Sequence, residues 1–298
     1  MRVFITGATG FIGSRVVKEL IGAGHQVIGV YRSDGKAPAL AASGAEVYRG
    51  SIDDPDGLKE GAARSDGVIH LAFNHDFSQL AANCETDRRV ITALGSVLAG
   101  SDRPLIVTSG TAIAKVAPGE LATENAPRVA SNDFPRAASE EATAEAAADG
   151  VNTSVVRLPQ VHDPERQGLI TPWIAIAREK GVLAYIGAGR NRWPAAHVSD
   201  VVRLYRLAIE KAQPGAIYNA VAEEGVPARD IAKTIGRRLK LPVKSIEPEE
   251  AGGYFGWLAH LAARDMPASG EKTQKALGWR PTGPSLIADL EALRISDG

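Results

Sequence analysis

Cysteine is almost missing from this 298-residue chain. Cys84 stands alone, which excludes an intrachain disulfide and a cysteine-rich zinc site, and no metal site is expected. An excess of one charge is missing too. Lys and Arg number 34 against 35 Asp and Glu, so nothing electrostatic recommends nucleic acid or an anionic membrane as a partner. No apolar run reaches the ~20 residues needed to span a bilayer. The opening "MRVFITGATG" enters a strand pattern with no charged leader or apolar signal core before it. The expectation is a cytoplasmic protein that takes a small molecule, with no nucleic-acid or membrane partner, as monomer or homodimer.

Apolar runs of strand length are present: "VFIT", "QVIGVY", "AEVYRG", "GVIHLA", "PLIVTS" and "NTSVVRLP". Helical patterns such as "GSRVVKELIGAG" and "ANCETDRRVITALGSVLAG" lie between them. Continuous apolar strands alternating with helices predict an α/β fold, a doubly wound parallel sheet covered on both faces. After residue 160 the rhythm loosens into one helix among Gly- and Pro-rich turns. "DVVRLYRLAIEKA" is a strong amphipathic helix, "AIYNAV" a short strand, and helices and loops follow from Glu223. The expected division is 1–160 with 198–222 for the sheet unit, and 161–197 with 223–298 for a smaller, discontinuous substrate lobe.

Glycine is concentrated where a strand gives way to a helix, in "TGATGFIG". Gly7 permits the tight turn, Gly10 lets the backbone approach a pyrophosphate, and Gly13 lets helix and strand pack closely. Thr9, Phe11 and Ile12 complete the loop, and the helix N-terminus offers unpaired N–H groups to phosphate. The strand–turn–helix setting makes this a dinucleotide-binding motif. Together with "VIHLA", "VTSG", "VVRLP", "HVSD" at 197–200 and the later "LGWRPT", it resembles the extended, epimerase-like branch of the short-chain dehydrogenase/reductase superfamily, with its Rossmann sheet.

The resemblance implies a nicotinamide cofactor, and the residues around it qualify which one. The second strand ends in Tyr31, Arg32 and Ser33 where NAD-dependent relatives carry a carboxylate for the ribose 2′-OH. Arg32 favours a 2′-phosphate through charge-assisted bonds, so NADP is expected over NAD, unless Arg32 is merely a solvated loop cation. Ser51 stands where such proteins often have an Asp facing the adenine, with Ile52 beside it. Leu71, Ala72 and Phe73 follow the fourth strand and Pro159 ends the sixth. All are expected to line the cofactor.

The family's catalytic pair is a Tyr with a Lys four residues on. None of Tyr31, Tyr48, Tyr185, Tyr205, Tyr218 or Tyr254 has that Lys. Aligning "RAASEE" on the family's helix puts Arg136 in the lysine position and Asn132 in the tyrosine position. Arg136 can hold the ribose but stays protonated and shuttles no proton. The alternatives are an Arg136–Glu140 pair at i,i+4 and Asn132 as helix N-cap, with Pro135 setting the helix start at Asn132 or Asp133. His75 in "FNHDF" and His162 in "LPQVHD" are the substitute proton donors, histidine titrating near neutrality. His197 is read as structural. Ser109 and Thr111, flanking Gly110, are the hydroxyls for a substrate oxygen, or else cap the strand end. Arg190 and Arg192 offer charge to an anionic substrate, and Trp193 an apolar wall. Three functions follow in order: an atypical NADP-dependent oxidoreductase of small carbonyl or hydroxyl compounds, a non-catalytic NADP(H) sensor, and a nucleotide-sugar epimerase or dehydratase.

Overall fold

The computed structural model describes residues 1–294, so the last four positions of the expected second lobe lie outside the described residues. The expected six strands form as β1 (Arg2–Thr6), β2 (Gln26–Tyr31), β3 (Glu46–Arg49), β4 (Gly67–His70), β5 (Pro104–Gly110) and β6 (Asn152–Leu158). Short strands follow: β7 (Gln160–His162), β8 (Leu183–Ile186), β9 (Arg192–His197), β10 (Ile217–Asn219), β11 (Glu223–Pro227) and β12 (Val243–Ile246).

Seven of these strands make one sheet in the order β10-β6-β5-β4-β1-β2-β3, every neighbour parallel. Chain order runs outward in opposite directions from the β1/β4 boundary. This is the switch point of a doubly wound sheet, where a crevice opens at the strands' carboxyl ends. Helices Gly13–Gly22 and Val198–Lys211 cover one face, and Leu80–Ser96 and Ala138–Ala148 the other. Val16, Val17 and Leu20 carry the buried stripe of the first helix at helical spacing. Cutting the fully buried Leu20 to Ala would cost about 2–5 kcal/mol.

A separate core, with Trp173, Trp193 and Phe255 at its centre, lies outside the large sheet. The region read as turns, loops and helices contains two small sheets, β11-β9-β7 and β12-β8. Strands such as "EEGVP" and "VKSI" are too short and polar to announce themselves, and pairing defines them. The C-terminal end also returns to the large sheet. Trp279 packs in the first core and its indole N–H donates to the Asp200 carbonyl (2.9 Å). The buried Asp200 carboxylate accepts the backbone N–H groups of Thr282 and Gly283, both at 2.9 Å. No described helix is long and apolar enough to cross a membrane.

Candidate dinucleotide site and its edge

The phosphate loop has the shape its glycines require. Gly7 has φ +70°, and a Cβ there would lie 2.8 Å from the Ala72 nitrogen, so the loop after β4 seals against it. A Cβ on Gly13 would fall 2.0 Å from the Gly7 carbonyl oxygen. Gly10 differs: its Cβ would meet only the Gly7 carbonyl, at 3.2 Å, and its outer side is open to solvent. The Phe11 and Ile12 N–H groups form no backbone hydrogen bond among the described residues. An open glycine beside free N–H groups at a helix start fits a pyrophosphate. Thr9 is half-buried in the same loop, and Arg15 folds over the Phe11 ring at 4.5 Å.

At the tip of β2, Tyr31 is half-buried against the core. Arg32 is exposed and forms no ion pair among the described residues, while nearby Asp34 faces Arg49 at 3.7 Å. Ser33 is extended, with φ −103°. Ser51 both donates to the Asp53 carboxylate (3.0 Å) and accepts from the Asp53 N–H (3.2 Å). Ile52 packs as a partly buried side chain beside it.

The edge between β4 and β5 is held by a buried polar line. The Thr6 hydroxyl accepts the N–H groups of Leu71 and Ala72, both at 3.2 Å. Those bonds fill its lone pairs, so its proton goes to His70 Nδ1 (2.7 Å). His70 Nε2 then donates to Asp87 (3.0 Å). The other Asp87 oxygen accepts from Ser139 and from Arg136 Nη1 (2.9 Å). Arg136 Nη2 donates to the Thr108 carbonyl (2.9 Å), Nη1 also contacts Ser139, and Phe73 lies over the guanidinium at 4.2 Å. Burial by itself would raise the Asp87 carboxyl. The Arg136 charge and the His70 and Ser139 hydrogen bonds outweigh it and hold the group well below the usual carboxylate range.

Arg136 therefore pairs with Asp87, whereas Glu140 is taken by Arg157 through two bonds of 2.8 and 2.9 Å. The i,i+4 alternative does not form. Neither does a helix beginning at Asn132 or Asp133. Backbone bonds back to Ala130 turn the chain there, Asn132 is exposed, and a short turn over Pro135–Ala137 precedes the helix proper. The proline ring suits that first turn and fixes the start two to three residues later.

His75 is exposed on the loop after β4. Desolvation by its surroundings, then the Arg136 charge, hold its imidazole below the ordinary value, so it is neutral at neutral pH. Ser109 is buried with an unpartnered hydroxyl, and Thr111 donates weakly to the Leu158 carbonyl at 3.4 Å. Between them a Cβ on Gly110 would meet only that carbonyl at 3.8 Å, leaving room for a small ligand. Pro159 is half-buried at the β6–β7 junction.

His162 lies elsewhere. It has no exposed surface and is bonded to Asp289 at 2.6 Å, which gives it no path to a ligand. His197 caps the helix Val198–Lys211 by accepting from the Ser199 N–H. Arg192 is neutralised by Asp265 through bonds of 3.0 and 2.7 Å, Trp193 is wholly inside the second core, and Arg190 is exposed. The sequence reading passed over His70, Asp87 and Ser139. A histidine within the apolar β4 was the one available signal, since Asp87 and Ser139 lie on helices rich in polar residues.

The chain is 47% identical over 291 residues to an uncharacterised protein of Schizosaccharomyces pombe, covering 97% of this chain and 98% of that one. It is 40% identical to an uncharacterised protein of Saccharomyces cerevisiae, covering 98% of each. A farnesyl-dihydroquinoline-oxide ketoreductase of Stigmatella aurantiaca is 26% identical, over 96% of this chain and 84% of its own. Among solved structures, a human epimerase family protein with NADPH aligns at TM-score 0.74 and 19% identity, covering 98% of this chain and 99% of that one. A dTDP-glucose 4,6-dehydratase from Streptomyces venezuelae with NAD bound aligns at 0.77 and 19%, covering 98% and 95%. The model of the NAD dependent epimerase/dehydratase family matches residues 3–221. With the glycine cradle, the switch-point crevice and this match, the chain belongs to the NAD-dependent epimerase/dehydratase family.

Proposed function

We propose that the protein is an NADP-dependent oxidoreductase of small carbonyl or hydroxyl compounds, working in the cytoplasm without the family's tyrosine. The observation that carries this reading is the setting of Arg136. It is clamped by Asp87 and Thr108 at the carboxyl edge of β5. Three of its five N–H donors are used, so two remain for ribose hydroxyls. Bound NADPH supplies the hydride. Phe11 and Ile12 N–H groups receive the pyrophosphate and Arg32 the 2′-phosphate. Ser109 or Thr111 polarises the substrate oxygen over Gly110. His75, exposed to water, relays the proton: it takes one from an alcohol and releases it to solvent, and in the reducing direction it passes one from solvent to the nascent alkoxide.

A second reading, a non-catalytic NADP(H) sensor, is favoured by Asn132, which is exposed and cannot do a phenol's acid–base work. Calorimetric titration with NADPH and NADH, followed by a panel of aldehydes, ketones and imines with NADPH consumption as readout, separates them. Turnover supports the enzyme. Tight NADPH binding with no turnover across the panel supports the sensor. An NADH preference of about tenfold, roughly 1.4 kcal/mol, would remove the role given to Arg32.

A further inference from the structure

The two halves of the molecule touch along a row of rings. Phe73, His75 and Phe77 alternate after β4, and the two-residue period of an extended chain sets them on one side. Their rings meet edge-on at 5.5 and 6.1 Å. Phe77 then stacks on Trp257, with centroids 4.3 Å apart and planes 7° apart. Trp257 comes from the short turn Gly256–Leu258 and is still 45% exposed, so a broad part of the indole is uncovered. Further along the same segment, Arg264 reaches the Phe134 ring at 5.8 Å, next to the turn that carries Arg136.

Arg136 lies over Phe73 at one end of the row, Arg264 follows Trp257 in the chain and lies by Phe134, and the two guanidinium groups are treated differently. Arg136 is held by Asp87. Arg264 is half-buried and forms no ion pair among the described residues, because its neighbour Asp265 is turned to Arg192. Burial lowers the Arg264 pKa with nothing opposing it. A desolvated cation without a counter-charge is costly, and an anionic ligand removes that cost. A planar guanidinium fork matches a carboxylate. One unpaired fork suits one negative charge, with no second free cation from Arg192 for a diphosphate.

We propose that Phe77, Trp257, Phe134 and Arg264 form a substrate subsite for a planar aromatic carboxylate bearing a carbonyl group. The proposal rests on the oxidoreductase reading for its direction: the carbonyl carbon gains a hydride from NADPH and its oxygen a proton from solvent, and a hydroxyl compound and NADP⁺ leave. The rings stack on the aromatic plane, and Arg264 holds the carboxylate away from the β5 edge.

The test titrates NADP⁺-saturated protein calorimetrically with 4-carboxybenzaldehyde and with uncharged 4-methylbenzaldehyde. The charged probe should bind about ten- to a hundredfold tighter, the range of a charge-assisted bond pair. Arg264→Gln should erase that preference while leaving 4-methylbenzaldehyde affinity unchanged and without lowering the thermal midpoint. Trp257→Ala should weaken both probes alike. Equal affinities in the wild type, binding of neither probe, or a preference that survives Arg264→Gln would overturn the subsite. NADPH consumption is followed separately on the same samples. An Arg264-dependent preference without turnover keeps the subsite and removes the oxidoreductase reading; turnover without the preference does the reverse.

Discussion

Asp87 and Asp289 hold matching positions in the two halves of the molecule, and their surroundings diverge one neighbour further out. Both are nearly sealed, and each binds a histidine, His70 at 3.0 Å and His162 at 2.6 Å. Asp87 passes on to Arg136, whose guanidinium surfaces under Phe73 at the cleft. Asp289 passes on to His197 at 3.7 Å, and the line ends at the cap of the helix Val198–Lys211. One is a line from core to site. The other fastens the helix Leu286–Glu291 to β7 and β9. Burial of an ionic group does not by itself mark function; Arg136 and His197 are equally exposed, and only Arg136 keeps donors free beside the β5 edge.

The sharpest way to break this comparison is Asp87→Asn. It leaves Arg136 without its carboxylate, and stability measured by urea unfolding should fall by about 3–5 kcal/mol. NADPH affinity should fall with it. Because the folded state holds this carboxyl below its usual value, its contribution is full above that value, about 3.9, and is lost as pH falls through it toward the folded pKa. A loss of under about 1 kcal/mol would mean that the line is ornamental.

Asp289→Asn is the counterpart. Unfolding should show a loss of about 1–3 kcal/mol, the cost of a buried charged hydrogen bond, with NADPH affinity unchanged. An equal effect on cofactor binding would show that the two aspartates are not separate systems.

Arg32→Ala sharpens the site side alone. NADPH should bind roughly tenfold more weakly while NADH is unaffected, an effect of about 1.4 kcal/mol.

The smallest effect sits on the sealed side. Burial lowers His162, outweighing the opposing pull of Asp289. The unfolded chain therefore binds more protons below the ordinary imidazole value of about 6.5, and stability declines as pH falls through that range. His162→Gln should flatten the decline, read as urea midpoint against pH, without changing the pH dependence of NADPH binding.

The large sheet was legible because its central strands carry continuous apolar runs and its first turn needs glycine at positions 7, 10 and 13. The small sheets were not, since "EEGVP" and "VKSI" become strands only through partners distant in the chain. At the site, Arg136 was legible as a candidate, but its partner was not: Asp87 lies on another helix and no spacing rule links them. The ring row was half visible. "FNHDF" shows the two-residue alternation, but the stacking of Phe77 on Trp257 depends on how the second half folds back.

That return has a consequence for anyone who would cut the chain. A fragment ending at residue 222 contains every strand of the large sheet. It lacks Thr282 and Gly283, whose amides bond the buried Asp200 carboxylate, and it lacks Trp279 from the core. It also strips Asn219, on β10, of Thr273 and Ser269. The polypeptide is laced so that a late segment completes its beginning, and a cut at residue 222 removes contacts that the large sheet unit itself uses.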